Sequence, residues 1–167
     1  MIHVKTIGKP GAVSRPGNAA AALLWLALAG SALAQPADGV PQRLQAITLQ
    51  AGMHNIRAEL ATTPEQRQIG LMFRKDLATH EGMLFIFEEP TPQCFWMRNT
   101  PTPLTIAFLN DDGSIVNLVD MKPFDESSHC SAKPVRYVLE MNQGWFARKG
   151  IKAGAKMAGR PFSITAR

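Results

Sequence analysis

From Leu44 onward the apolar residues of this chain arrive in runs of strand length, each cut short by proline, glycine or an Asn/Asp turn. A chain punctuated this often cannot build long helices, and it must bury its apolar surface in short strands packed as a sheet. Ile47 and Leu49 alternate with polar neighbours, Ala51-Gly52 turns, and Ile56, Ala58 and Leu60 alternate again over residues 54–61, which predicts a hairpin. Residues 83–87 and 94–98 read as buried strands. Residues 104–109 and 115–121 flank Asn110-Asp111-Asp112-Gly113, a hairpin turn. Over residues 135–141, Val135, Tyr137, Leu139 and Met141 fall on one face, and Arg136, Val138 and Glu140 on the other. A last strand is expected around residues 157–164.

Two short helices interrupt this pattern. Thr63-Pro64-Glu65-Gln66 combines an N-cap threonine, a first-turn proline, an acidic residue at the positive end of the helix and a glutamine that closes a capping box. That helix is expected to run to about Phe73, with Ile69, Met72 and Phe73 turned inward. The second starts with Asn142 as cap, buries Trp145 and Phe146, and stops at Gly150. The fold class is therefore α+β: a compact, mostly antiparallel curled sheet or small β-barrel-like core with two short helices.

The N-terminus speaks to location. Lys5, Lys9 and Arg15 precede an apolar run over residues 19–30, and Ala32-Leu33-Ala34 has the small-x-small form that a signal peptidase cuts. The run is shorter than the roughly 20 apolar residues of a membrane span. Residues 1–34 are thus expected to be a signal peptide, 35–43 a flexible arm and 44–167 a single globular domain, periplasmic or secreted after cleavage near Ala34, with no stable membrane anchor. Of the 18 basic residues, three belong to the leader, which leaves 15 against 13 acidic ones. So balanced a charge gives no case for nucleic-acid binding. Cys94 and Cys130, an even pair in an exported chain, are most simply a disulfide.

No standard catalytic spacing is present: neither G-x-S-x-G, nor H-E-x-x-H, nor a phosphate-cradling glycine loop. The chemistry that remains gathers at residues 94–104, where Cys94, Phe95, Trp96 and Met97 precede a polar Arg98-Asn99-Thr100 and two prolines. Asp120 and Glu140 lie late in apolar strands, and each needs a partner or an exposed position; Arg98 and Arg74 are the candidate partners, in structural ion pairs at the sheet rim or around a pocket. Three functions are open: a small-ligand-binding or accessory module with a polar site of Arg98, Asn99, Thr100, Glu140, Asp120 and Arg74; a periplasmic hydrolase-like or lyase-like enzyme using Glu140 or Asp120 as base with Arg98; and a periplasmic binder of copper or another metal using Met72, Met83, Met97, Met121, Met141 and His129. The methionines and the aromatics Phe95, Trp96, Trp145 and Phe146 are expected in the core. No cofactor and no metal site is called. The partner is an unnamed small molecule or protein.

The succession Glu59-Leu60-Ala61, Gly70-Leu71-Met72-Phe73-Arg74, Gly82-Met83-Leu84-Phe85, Phe95-Trp96-Met97-Arg98-Asn99-Thr100 with Pro103-Leu104, and Leu139-Glu140-Met141 before Gly144 resembles the family catalogued as domain of unknown function 192. The resemblance implies a small, often exported prokaryotic protein with one β-rich domain and no established activity. It also implies an aspartate after Pro103-Leu104, where this chain has Thr105.

Overall fold

A computed structural model describes residues 39–162. The expected leader and the end of the expected last strand lie outside the described residues. Strands β1 (Ala46–Ala51) and β2 (His54–Ala61) form the expected hairpin, with Gly52 at positive φ in its turn. Helix α1 (Pro64–Ile69) follows, and its capping box is complete: Thr63 accepts from the Gln66 amide while the Gln66 side chain accepts from the Thr63 amide. The chain continues through β3 (Glu81–Thr91), β4 (Cys94–Phe95), β5 (Leu104–Leu109), β6 (Ile115–Met121), β7 (His129–Cys130), β8 (Val135–Asn142), α2 (Trp145–Arg148) and β9 (Met157–Ala158).

Seven strands make one curled sheet in the order β6-β5-β8-β3-β2-β1-β9, and β4 pairs with β7 in a separate two-stranded ribbon. The sheet is antiparallel except at β2 and β3, which are parallel because the connection through α1 is long enough to carry the chain back to the same end. The two sheet edges meet, since Ser114 and Lys156 form a single bridge and Met157 donates its amide to the Gly113 carbonyl. A side chain at position 113 would drive its Cβ into the Met157 carbonyl oxygen, so this seam requires glycine.

Both faces of the sheet are covered. Leu49, Ile56, Leu84, Ala107, Leu139 and Met141 pack with Trp145, Phe146 and Phe162 inside the curl. Their alternates Met83, Phe85, Ile106, Phe108 and Val138 pack outside it with Leu71, Met97 and Met121. The predicted alternation holds from Tyr137 to Met141. Val135 instead joins the outer cluster, beyond the register shift between Ile86 and Thr91.

Several local expectations are corrected. Helix α1 ends at Ile69 because Gly70 caps it at positive φ, and a Cβ there would press on the Phe85 ring at 3.2 Å. Leu71 is the residue this turn buries, while Ile69, Met72 and Phe73 are half-buried. Asn142 belongs to β8 and donates its side-chain amide to the Leu77 and Ala78 carbonyls. Gly144 takes the cap of α2. The strand expected over 94–98 is two residues long, because the chain turns after Phe95 and the Thr100 amide bonds back to the Met97 carbonyl. Trp96 is 46 % exposed and lies outside the core, whereas Phe95, Trp145 and Phe146 pack where expected.

Candidate functional site

Register decides which polar groups meet. Glu59 on β2 and Glu140 on β8 are both paired with Met83 on the strand between them, so the two carboxyls lie on the same outer face. Each residue is 4 % exposed. Thr105 pairs with Asp120 and the next residue, Ile106, pairs with Glu140. Consecutive residues of a strand point to opposite faces, so Asp120 and Glu140 are on opposite sides of the sheet. The expectation that they share one polar site is thereby corrected.

Arg74 is not a partner of Glu140 or Asp120. It is buried against Glu59, with the same nitrogen 2.6 and 2.7 Å from the two carboxylate oxygens, and it also donates to the Gln42 carbonyl. Leu44 gives its amide to the same carboxylate, and the Thr102 hydroxyl caps the Arg74 carbonyl. This network ties residues 42–44, the connection after α1 and β2 together. Arg98 pairs with neither acid: it is exposed, its guanidinium 5.5 Å from the Trp96 ring centroid. Asn99 is exposed at positive φ, and its carbonyl accepts from the Phe73 amide. Asp120 is exposed and accepts from the Thr105 hydroxyl, which in turn accepts from the Gly144 amide. Thr105, where the resemblance leads one to expect an aspartate, thus spends its hydroxyl on linking β6 to the start of α2. The hollow beside it, about 660 Å³, is wide, but Thr105 and Asp120 are already bonded to each other there.

Thr100 and Glu140 remain, and the structure brings them together. Both line a cavity of about 370 Å³ between α1 and segment 93–100, a size in the range of pockets that enclose small molecules, roughly 300–1,000 Å³. Phe85, Phe87, Phe95 and Trp96 supply its aromatic lining. Phe95 is held edge-on to Phe85 at 4.9 Å, and the Cys94–Cys130 disulfide staples β4 to β7, fixing the strand that carries this wall. Arg67 reaches the cavity from α1 already committed: one nitrogen donates to the Thr62 and Ile86 carbonyls at 2.7 Å, Glu88 lies 3.3 Å away, and the guanidinium sits 4.9 Å from the Phe87 centroid.

Glu140 has no such partner among the described residues. Burial alone acts on its carboxyl and pushes its pKa up to about 8, so the acid is largely protonated at neutral pH. The sequence reading missed Glu59 as the acid of the buried ion pair, and missed Arg67, Phe85 and Phe87 as cavity residues. The alternation of Phe85 and Phe87 about Ile86 is the signal that places both on one face. The methionines are divided, with Met83, Met97 and Met121 in the outer cluster and Met141 inside, while His129 lies 3.4 Å from Asp125. Among the described residues no three His, Cys, Asp or Glu side chains gather as metal ligands.

The described residues form a β-rich domain with a curled half-barrel sheet, a short crossover helix and an aromatic cavity bordered by the buried Glu140. The chain belongs to the DUF192 family, described as Uncharacterized ACR, whose model matches residues 46–159. It is similar to a crystal structure of a protein of unknown function from Novosphingobium aromaticivorans, with 38 % identity, a TM-score of 0.67, and 73 % of this chain and 94 % of that one covered. It is also similar to a Sinorhizobium meliloti protein named as a candidate transcription regulator, with 37 % identity, a TM-score of 0.66, and 72 % and 96 % of the two chains covered. No curated protein matches it.

Proposed function

We propose that this chain is an exported, single-domain module that binds a small ligand in the cavity between α1 and segment 93–100, with Glu140 as its polar anchor and Thr100 beside it. The observation that carries this reading is Glu140 itself: a residue 4 % exposed whose carboxyl has no partner among the described residues and stands on the wall of an aromatic cavity. An unpaired buried acid costs stability that an apolar residue would not, and a bound group that completes its hydrogen bonds offsets that cost. Export rests on the leader composition, and the Cys94–Cys130 disulfide fits an oxidising compartment. Among the described residues no helix is long and apolar enough to cross a membrane.

Binding is favoured over turnover by what lines the cavity. Glycosidase-type hydrolysis needs two carboxyls flanking the scissile bond, and Glu140 is the one acid among the described lining residues. Cys94 is tied up in the disulfide, so no free thiol is offered as nucleophile. Two measurements test the reading. N-terminal sequencing of the protein from a periplasmic fraction is expected to begin at Gln35; an intact leader on that protein contradicts export. Native mass spectrometry of the same material is expected to show a retained small molecule that Glu140→Gln loses. Equal retention by both proteins, or none by either, counts against the site.

A further inference from the structure

Resting on that reading of the cavity, we infer that its ligand is a small organic cation: an amine whose charged end seats against the Glu140 carboxyl while its apolar body lies among Phe85, Phe95 and Trp96.

The first support is the symmetry about Met83. On one side of that residue Glu59 is paired with the buried guanidinium of Arg74. On the other side Glu140, on the same face and equally buried, borders a cavity. The same sheet surface thus holds a carboxylate by giving it a cation from the chain, and at Glu140 that place is left to a ligand. The second support is the sign of the lining. Arg67, the one basic side chain among the described lining residues, is spent on Glu88, two carbonyls and the Phe87 ring. An anionic ligand would meet a buried acid and no uncommitted cation. The third is the aromatic lining, since ring faces attract ammonium groups most strongly where water is excluded.

Proton linkage follows from the same groups. A cation placed against Glu140 favours its ionised form, so amine binding near neutral pH expels the proton that burial holds there. Beside Glu140 on β3 and β5, or lining the cavity with it, stand Met83, Phe85, Ile106, Phe95, Trp96, Thr100 and Arg67 from α1, the one charged side chain among them.

The test is isothermal titration calorimetry of the mature protein at pH 7 with three probes of one shape: benzylamine, benzyl alcohol and benzoate. Benzylamine is expected to bind about tenfold or more tighter than the other two. Repeating it in buffers of different ionisation enthalpy should show release approaching one proton per benzylamine and none for benzyl alcohol. In Glu140→Gln, benzylamine should weaken by about tenfold while benzyl alcohol changes little. Equal or tighter binding of the alcohol or of benzoate overturns the cation and leaves the cavity reading standing. Binding that Glu140→Gln leaves untouched, or no binding by any of the three, overturns both. The proton count is read on the wild-type protein, so the cation assignment stays testable even if the variant fails to fold.

Discussion

Glu59 and Glu140 are two glutamates on one face of one sheet, one strand to either side of Met83 and equally buried, yet they are held in opposite ways. Glu59 receives two short contacts from Arg74 and an amide from Leu44. Glu140 receives nothing from the described residues and faces a cavity. The first arrangement is complete within the chain, so it serves stability. The second is incomplete within the described residues, and that difference is the ground for the ligand proposed above. Burial and residue type are the same in both, and the difference is made by what the connecting segments bring.

The contrast breaks hardest at Arg74. Arg74→Ala strands a buried carboxylate and is expected to cost about 3–5 kcal/mol in urea unfolding, whereas replacing Arg74 and Glu59 together by apolar residues of similar volume should recover most of that. If the single variant melts like the wild type, Glu59 is no better anchored than Glu140. Next comes the staple on the cavity wall: Cys94→Ser with Cys130→Ser removes a loop constraint worth at most about 4 kcal/mol in the chain-entropy model. Denaturation with and without reductant should show this loss in the wild type and no reductant effect in the double variant.

Glu140 itself should behave in the reverse sense. Its folded pKa of about 8 stands above its ordinary 4.5, so the folded state binds more protons than the unfolded state between these values. Stability from this group is full below about pH 4.5, falls as pH rises through about 8, and is level above that. The loss should approach about 1.4 kcal/mol per pH unit across that window, and Glu140→Gln, which has no proton to lose, should lack it. Parallel pH profiles of the two proteins would show that burial does not raise the Glu140 pKa. The smallest effect is expected at Arg98: Arg98→Ala should shift stability by less than about 0.5 kcal/mol and leave benzylamine affinity unchanged, since this side chain is exposed and does not line the cavity.

Much of the fold was legible because its signals are local. The capping box of α1, the Asn110-Asp111-Asp112-Gly113 turn and the alternation of Tyr137, Leu139 and Met141 each lie within a few residues, where backbone preference and burial act on the same atoms. The candidate cavity was legible only in part. Thr100 and Glu140 were named and do meet in one cavity, but Arg98, Asn99, Asp120 and Arg74 were grouped with them from their strand positions and chemistry alone. Arg98 and Asn99 are carried outward by the turn after Phe95. Asp120 is lost to the opposite face by the one-residue offset between Thr105 and Ile106.

Propensity, alternation and capping are written residue by residue, and they were enough for a β-rich α+β chain with two short helices, a cysteine pair and the residues able to carry chemistry. Tertiary packing made β2 and β3 run parallel, set Glu59 and Glu140 on either side of Met83, and brought Arg74 to one of them and not the other. Those facts depend on strand register and on where the connection after α1 lands. Both are set by packing between segments far apart in the chain, where no local signal acts.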